Sequence, residues 1–331
     1  MRQRRQMALL ASLTLACISP SAMAATTPGP ARAPAVAKMP DVRERTVTTR
    51  TIRSKEGLEY TIFISAPQGP PPARGFPVLY VLDANAWFGV AAEIARLDEL
   101  EAGPAIVVGV GYPVHTLYDD VRRTYDFTLG DPATPQPNAA AYRYGGANAF
   151  LDFVRHDLRS EVAKTYPIDS RRQSLFGHSL GGFFVLHALF TAPDAFSTFI
   201  AASPAIWTDE KRLRTEEQAF EAQPRSGAQA KVLITVGGLE QQLGQADTDL
   251  MTKMYALNPA AFGGATLEQA LDSIRASQTK DRMIDNAREM SLRLKAAGVP
   301  TSFVIFDGEN HRSEAPSALG RALLLALRNQ P

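Results

Sequence analysis

The segment SLFGHSLGGFF, residues 174–184, constrains the fold of this chain more than any other. One apolar run enters it, another leaves it, and Ser179 stands between Gly177 and Gly181. Glycines at these offsets mark a turn too tight for side chains on either flank, with the serine at its tip. The pattern G-x-S-x-G is that of a strand-to-helix turn that lifts a serine oxygen above the end of a parallel strand. Such a turn needs a sheet around it, so the rest of the chain must supply buried strands, a base and an acid.

The strands are legible. Phe76–Leu82 (FPVLYVL) and 105–110 (AIVVGV) are continuous apolar runs, as strands buried on both faces require. Thr198–Ala202 and Lys231–Val236 read the same way, Thr301–Phe306 reads as a last strand, and Ser174–Phe176 leads into the turn. Val47–Ile52 and Tyr60–Ala66 read as β-rich edge strands. Between them fall helical stripes. Phe150, Val154 and Leu158 share a face between Gly146 and Tyr166; Met283, Ala287, Met290, Leu294 and Ala297 share another, and Ala315–Arg328 closes the chain. Strands alternating with helices predict an α/β architecture with a mostly parallel central sheet and helices on both faces. In such a sheet the chemistry sits beyond the carboxyl ends of central strands, where the turn puts Ser179.

With 331 residues, 45% of them hydrophobic, the chain has ample material for a core. A formal charge of +1 gives no argument for nucleic acid or a charged membrane surface. Residues 1–24 read as a signal peptide. Arg2, Arg4 and Arg5 precede the apolar stretch Met7–Ile18, and Ala22-Met23-Ala24 ends on a small-residue cleavage pattern. The apolar run is too short to span a bilayer comfortably, which favours export to the periplasm or medium over anchoring. The sole cysteine, Cys17, lies inside this segment, so the mature chain lacks a thiol for a disulfide, a nucleophile or a metal. A lipid anchor through Cys17 fits poorly, because Thr14 stands three residues before it. Residues 25–40 form a Pro/Ala-rich leader, expected to be unstructured, and 41–331 one α/β domain with an insertion around 240–279.

A serine hydroxyl is a weak nucleophile and needs a base. Of the five histidines, His178 adjoins the serine within the turn and should point away from it. His187 lies two turns further along the next helix, and His156 on a polar helix face. His115 precedes the serine, whereas this turn belongs to folds that run serine, acid, histidine. His311, after the last strand in GENH, remains as the base. The acid should follow Lys231–Val236, where Glu240 comes directly after Gly237-Gly238-Leu239; Asp247 and Asp249 are its competitors. It would hold the imidazole tautomer and stabilise the imidazolium. Two backbone N–H donors should face the oxyanion, one from Leu180 after the serine and one from the loop Asp83-Ala84-Asn85.

At this point the chain resembles an esterase family of α/β-hydrolases that includes siderophore esterases, feruloyl esterases, S-formylglutathione hydrolases and mycolyltransferases. The resemblance runs from about Val47 to Leu327 through VLYVLDANAWF, VVGVGYP, RRTYDFT, GGANAFLDFV, SLFGHSLGGFFVLHALF, AASPAIW, VGGLEQ and GENHRSEAPSAL. The run from Gly145 to Trp207 looks most like the branch acting on enterobactin, salmochelin and bacillibactin. Carried over residue by residue, it implies Ser179 as nucleophile, His311 as base, and Asn85 and Leu180 as oxyanion donors. It also suggests that Arg123 pairs with Asp126 to brace their loop. Ala84 departs from the glycine usual at its position, and Thr208 from a common second tryptophan.

Trp87, Phe88, Arg123, Tyr125 and Trp207 are the expected substrate contacts, the aromatic rings being suited to stack on a catecholate. Arg122, Arg123, Lys211 and Arg212 could attract an anionic ferric siderophore. The expectation is an exported serine esterase working through an acyl-enzyme, with no cofactor, no metal and a small-molecule ester as partner. An acyltransferase or a general or feruloyl-type esterase would use the same residues, whereas a non-enzymatic binding protein would not need Ser179 and His311.

Overall fold

A computed structural model of the protein describes residues 45–130, 142–223 and 230–327. The expected signal peptide and leader lie outside these residues, as does Arg328 at the end of the expected closing helix. The strands are β1 (Arg45–Arg53), β2 (Glu59–Pro67), β3 (Phe76–Leu82), β4 (Ile106–Gly111), β5 (Ile168–His178), β6 (Thr198–Ala202), β7 (Lys231–Gly237) and β8 (Thr301–Phe306). They form one eight-stranded sheet in the order β1-β2-β4-β3-β5-β6-β7-β8. From β4 to β8 all neighbours are parallel; β2 runs antiparallel to both β1 and β4.

Every residue of β3, β4 and β6 is buried, as their unbroken apolar sequences predict. On one face of the sheet lies the helix Leu180–Thr191, buried from Gly181 to Phe190 and therefore apolar all round. Phe150 and Phe153 pack in the same layer with Phe183 and Phe184. The opposite layer holds Trp87, Phe88 and Ala91 of the helix Ala84–Leu97 against Ala318, Leu319, Ala322 and Leu323 of Glu314–Leu327. Two apolar layers around a twisted parallel sheet leave the strand ends as the place for polar side chains.

The register fixes where those ends meet. His178 pairs across to Ala202, Ala202 to Thr235 and Thr235 to Val304, so β5 to β8 finish nearly level. The loops that follow carry Ser179, Ser203, Glu240 and His311 along one edge of the sheet.

Three elements differ from the sequence expectation. β5 begins at Ile168, which pairs with Phe76; its polar start, Asp169 to Arg172, falls in a register shift before pairing resumes between Gln173 and Val78. The helical stretch Ala147–Thr165 contains a wider π-helical turn at Phe153–Leu158. The insertion is a pair of helices, Gln245–Leu257 and Leu267–Asp281, the second opened by a reciprocal cap between Thr266 and Gln269. Leu250, Met254 and Leu257 fall at i, i+4 and i+7 on the first of these helices, yet this short stripe is exposed rather than buried in the core. No helix among the described residues is long and apolar enough to cross a membrane.

Candidate active site

The serine turn is tight on both sides. A Cβ on Gly177 would lie 2.2 Å from the carbonyl oxygen of Gly181, and one on Gly182 would lie 2.8 Å from that of Ala202. Gly181, the second glycine of the motif, is less crowded: its nearest neighbour would be Asp83 Oδ2 at 3.6 Å. The glycine that lets the helix approach β6 is thus Gly182. Ser179 itself takes φ 59° and ψ −118°, a region that costs a non-glycine residue about 1–3 kcal/mol. Its neighbours hold it there. The Ser179 N–H donates to Ala202 O at 2.9 Å, while Ser179 O accepts from the N–H groups of Phe183 and Ala205.

Strained backbone recurs along this edge. Among the described residues, four non-glycine residues have positive φ, and three of them, Asp83, Ser179 and Ser203, directly follow β3, β5 and β6. Each re-aims its chain at a strand end beside the serine.

Ser179, His311 and Glu240 form a continuous hydrogen-bonded line. Ser179 Oγ donates to His311 Nε2 at 2.9 Å, and His311 Nδ1 donates to Glu240 Oε2 at 2.6 Å. The carboxylate fixes the Nδ1–H tautomer and leaves Nε2 free to take the serine proton. Glu240 is itself pinned: its Oε1 accepts from Gly237 N at 2.6 Å and from the Ser203 hydroxyl. The competitors sit elsewhere. Asp247 Oδ1 accepts from Asn310 Nδ2 at 2.8 Å, and Asp249 Oδ1 accepts from Gln245 on the exposed side of its helix.

The acid and base loops are interlocked. A Cβ on Gly237 would meet Glu309 O at 2.4 Å, so only glycine allows the histidine loop to cross there. Gly238 N donates to Phe306 O and Leu239 N to Glu309 O. Within the histidine loop, Asn310 Oδ1 accepts from the N–H groups of Arg312 and Ser313.

His178, discounted as a base, braces His311 instead. Its Nε2–H donates to His311 O at 2.7 Å, and the two rings lie 4.6 Å apart. Burial holds the His178 pKa well below the usual histidine range, so the ring is a neutral donor. The only sequence signal for this was adjacency to Ser179, which gave no direction. The other histidines are apart from the site: His187 is buried against Glu216, while His156 and His115 are exposed.

Leu180 opens its helix, so its N–H has no partner within it. Asn85 stands second in the helix Ala84–Leu97, and its side chain is fully engaged: Oδ1 accepts from Tyr112 N, and Nδ2 donates to Tyr112 O and Val114 O. Its backbone N–H, in the first turn, has no partner within the helix. Ala84 fits because β4 supplies Gly109 opposite it; a Cβ there would meet the Ala84 Cβ at 2.7 Å.

Arg123 pairs with Asp83, not with Asp126. Its Nε donates to Asp83 Oδ1 at 3.1 Å and its Nη2 to Oδ2 at 2.8 Å. Asp126 instead accepts from Tyr60 and lies 3.8 Å from Arg122. Among the expected substrate contacts, Trp207 is 40% exposed, whereas Trp87 and Phe88 are buried. Tyr125 is half-buried beneath the guanidinium of Arg143. Arg212 is held by Asp209, so of the basic residues expected to draw an anion only Lys211 lies exposed without an assigned carboxylate among the described residues. The described residues contain no group of three or more His, Cys, Asp or Glu placed to hold a metal ion.

Known proteins resemble this chain over most of its length. The family model described as "Putative esterase" matches residues 55–312. The ferri-bacillibactin esterase BesA of Bacillus subtilis is 35% identical over 285 residues, covering 82% of this chain and 86% of its own. The siderophore triacetylfusarinine C esterase of Aspergillus fumigatus is 30% identical over 292 residues, covering 85% and 92%. Among solved structures, siderophore hydrolase EstB from Aspergillus nidulans superposes with a TM-score of 0.71 at 27% identity, over 90% of this chain and 98% of that one.

Proposed function

Because the chain belongs to this esterase family, we propose that it is an exported serine esterase that opens catecholate siderophore lactones through an acyl-enzyme on Ser179. The observation that carries the reading is the hydrogen-bonded line from Ser179 through His311 to Glu240. Ser179 Oγ attacks the ester carbonyl carbon as its proton passes to His311 Nε2. The imidazolium so formed is stabilised by Glu240, and the oxyanion by the N–H groups of Leu180 and Asn85. His311 then returns the proton to the departing alkoxide. Water, deprotonated by the same nitrogen, attacks the acyl-enzyme and frees Ser179.

The substrate class is supported by the names of two relatives, both siderophore esterases, and by an exposed indole, Trp207, on the loop after β6. Trp207, Tyr125 and Arg123 are the proposed substrate contacts, while Trp87 packs against Tyr118 and His178 and Phe88 against Phe63. A tri-ester of catechoylated serines offers aryl rings for stacking and equivalent carbonyls for Ser179. Export, read from residues 1–24, would let the enzyme meet such a ligand outside the cytoplasm.

Two measurements test this. A fluorophosphonate should leave one adduct, on Ser179, and Ser179→Ala should abolish hydrolysis while folding normally. The kcat/KM for a catecholate trilactone should exceed that for p-nitrophenyl acetate or methyl ferulate by about a hundredfold, roughly 2.7 kcal/mol. An adduct elsewhere refutes the mechanism, and equal or inverted ratios refute the substrate.

A further inference from the structure

Behind the triad acid lies a second carboxyl that acyl transfer does not use. Glu314 begins the closing helix three residues after His311 and is fully buried. Among the described residues neither of its carboxyl oxygens has a hydrogen-bond partner, and Thr235 Oγ1 is likewise buried without one. The groups that face Glu314 are the hydroxyls of Ser203 and Thr235 from β6 and β7, the Glu240 carboxylate, and the His178 and His311 rings.

Hydrogen-bond direction decides its protonation. Ser203 gives its one hydroxyl proton to Glu240 Oε1, so it offers Glu314 only lone pairs. His178 Nε2 lies 3.9 Å from Glu314 Oε2, but its proton already goes to His311 O, and its ring is neutral. An ionised Glu314 would set a second negative charge beside Glu240 with no cation to meet it. A carboxylic acid suits every neighbour: brought within bonding distance, its O–H would donate to Ser203 Oγ and its carbonyl would accept from Thr235.

We propose that Glu314 is a positioning residue that works as a neutral acid, holding Ser203 in the orientation that keeps Ser203 donating to Glu240. This rests on the reading of Ser179, His311 and Glu240 as a triad. Burial, with the Glu240 charge adding to it, pushes the Glu314 carboxyl up to about 7. Its ionisation therefore falls in the working range. Above that range Ser203 loses its donor, and the ionised carboxyl competes with Glu240 for the Ser203 proton, which loosens the line that positions His311.

The test is the pH dependence of kcat/KM for p-nitrophenyl acetate. Glu314→Gln keeps a donor toward Ser203 and an acceptor toward Thr235 at every pH. At about pH 6 it should match wild type within about threefold, and at about pH 9 it should exceed it about tenfold, because the wild-type alkaline loss is gone. A glutamine variant that tracks wild type across the range overturns the proposal. Should the variant not fold, infrared spectra of wild type with carbon-13 glutamate carboxyls give the answer. A protonated-carboxyl stretch present at about pH 6 and lost by about pH 9 supports the proposal, and its absence at about pH 6 overturns it. Absence of a fluorophosphonate adduct on wild-type Ser179 would instead refute the triad, whatever the infrared band shows.

Discussion

Replacing Arg123 by methionine removes one half of a buried ion pair and leaves the other half in place. The two side chains are 14% and 1% exposed, and both Asp83 oxygens face the Arg123 guanidinium. Breaking such a pair from one side costs about 3–5 kcal/mol, since the remaining charge stays desolvated. Methionine retains contact with the Tyr118 and Phe127 rings that the guanidinium now covers, so lost packing adds little. Asp83→Asn in the same background should recover most of the loss. Asparagine carries no charge and tolerates the left-handed backbone, φ 50°, at this position. Urea unfolding followed by tryptophan fluorescence would measure both changes, with Trp87 buried near the pair's loop as the main reporter. The slope against denaturant should stay constant while the midpoint moves. A loss below about 1 kcal/mol for Arg123→Met, or no recovery in the double variant, would refute the view that Arg123 holds up the oxyanion loop.

Glu240→Gln should lower kcat by about 10²–10⁴, less than His311→Ala, while Asp247→Asn stays near wild type in the same steady-state assay. Gly182→Ala should lose about 1–3 kcal/mol by thermal or urea unfolding, because its Cβ would crowd Ala202 O and Pro204 Cα. Asp126, raised from 3.8 to about 7 chiefly by burial, binds its proton more tightly folded than unfolded. Its contribution to stability is therefore complete below about pH 4 and lost as pH rises through about 7, with the same sign as for Glu314. Asp126→Asn should flatten that fall in urea midpoints measured between about pH 4 and pH 8.

The sequence carried the central sheet well because strands buried on both faces have no polar positions to disguise them: β6 begins and ends where its apolar run does, while β8, at the sheet edge, is only partly buried. His311 was reachable by elimination, since a fixed order of serine, acid and base leaves few places for a histidine. Glu240 was reachable because β7 ends in glycines that force the next residues back over the sheet. The partner of Arg123 was not legible. Asp83 lies 40 residues away, and the resemblance pointed instead to Asp126 in the same loop. His178 illustrates a related limit, because sequence gave its place in the turn but not the rotation that sends its ring under His311. Glu314 looked like an ordinary acidic first-turn residue, and nothing in its neighbours reveals that the helix end is sealed from water.

The crossing of the Glu309 carbonyl over Gly237 makes the acid and base loops one mechanical piece. The helix pair Gln245–Leu257 and Leu267–Asp281 branches from that piece and touches it again where Asp247 accepts from Asn310. Its exposed residues are therefore a separable module. A designer who wished to change which esters reach Ser179 could graft another helix pair between Gln241 and Arg282. Gly237, Gly238, Leu239 and Glu240 would be kept, along with one carboxylate to meet Asn310, and the relay would stay in register beneath a new roof.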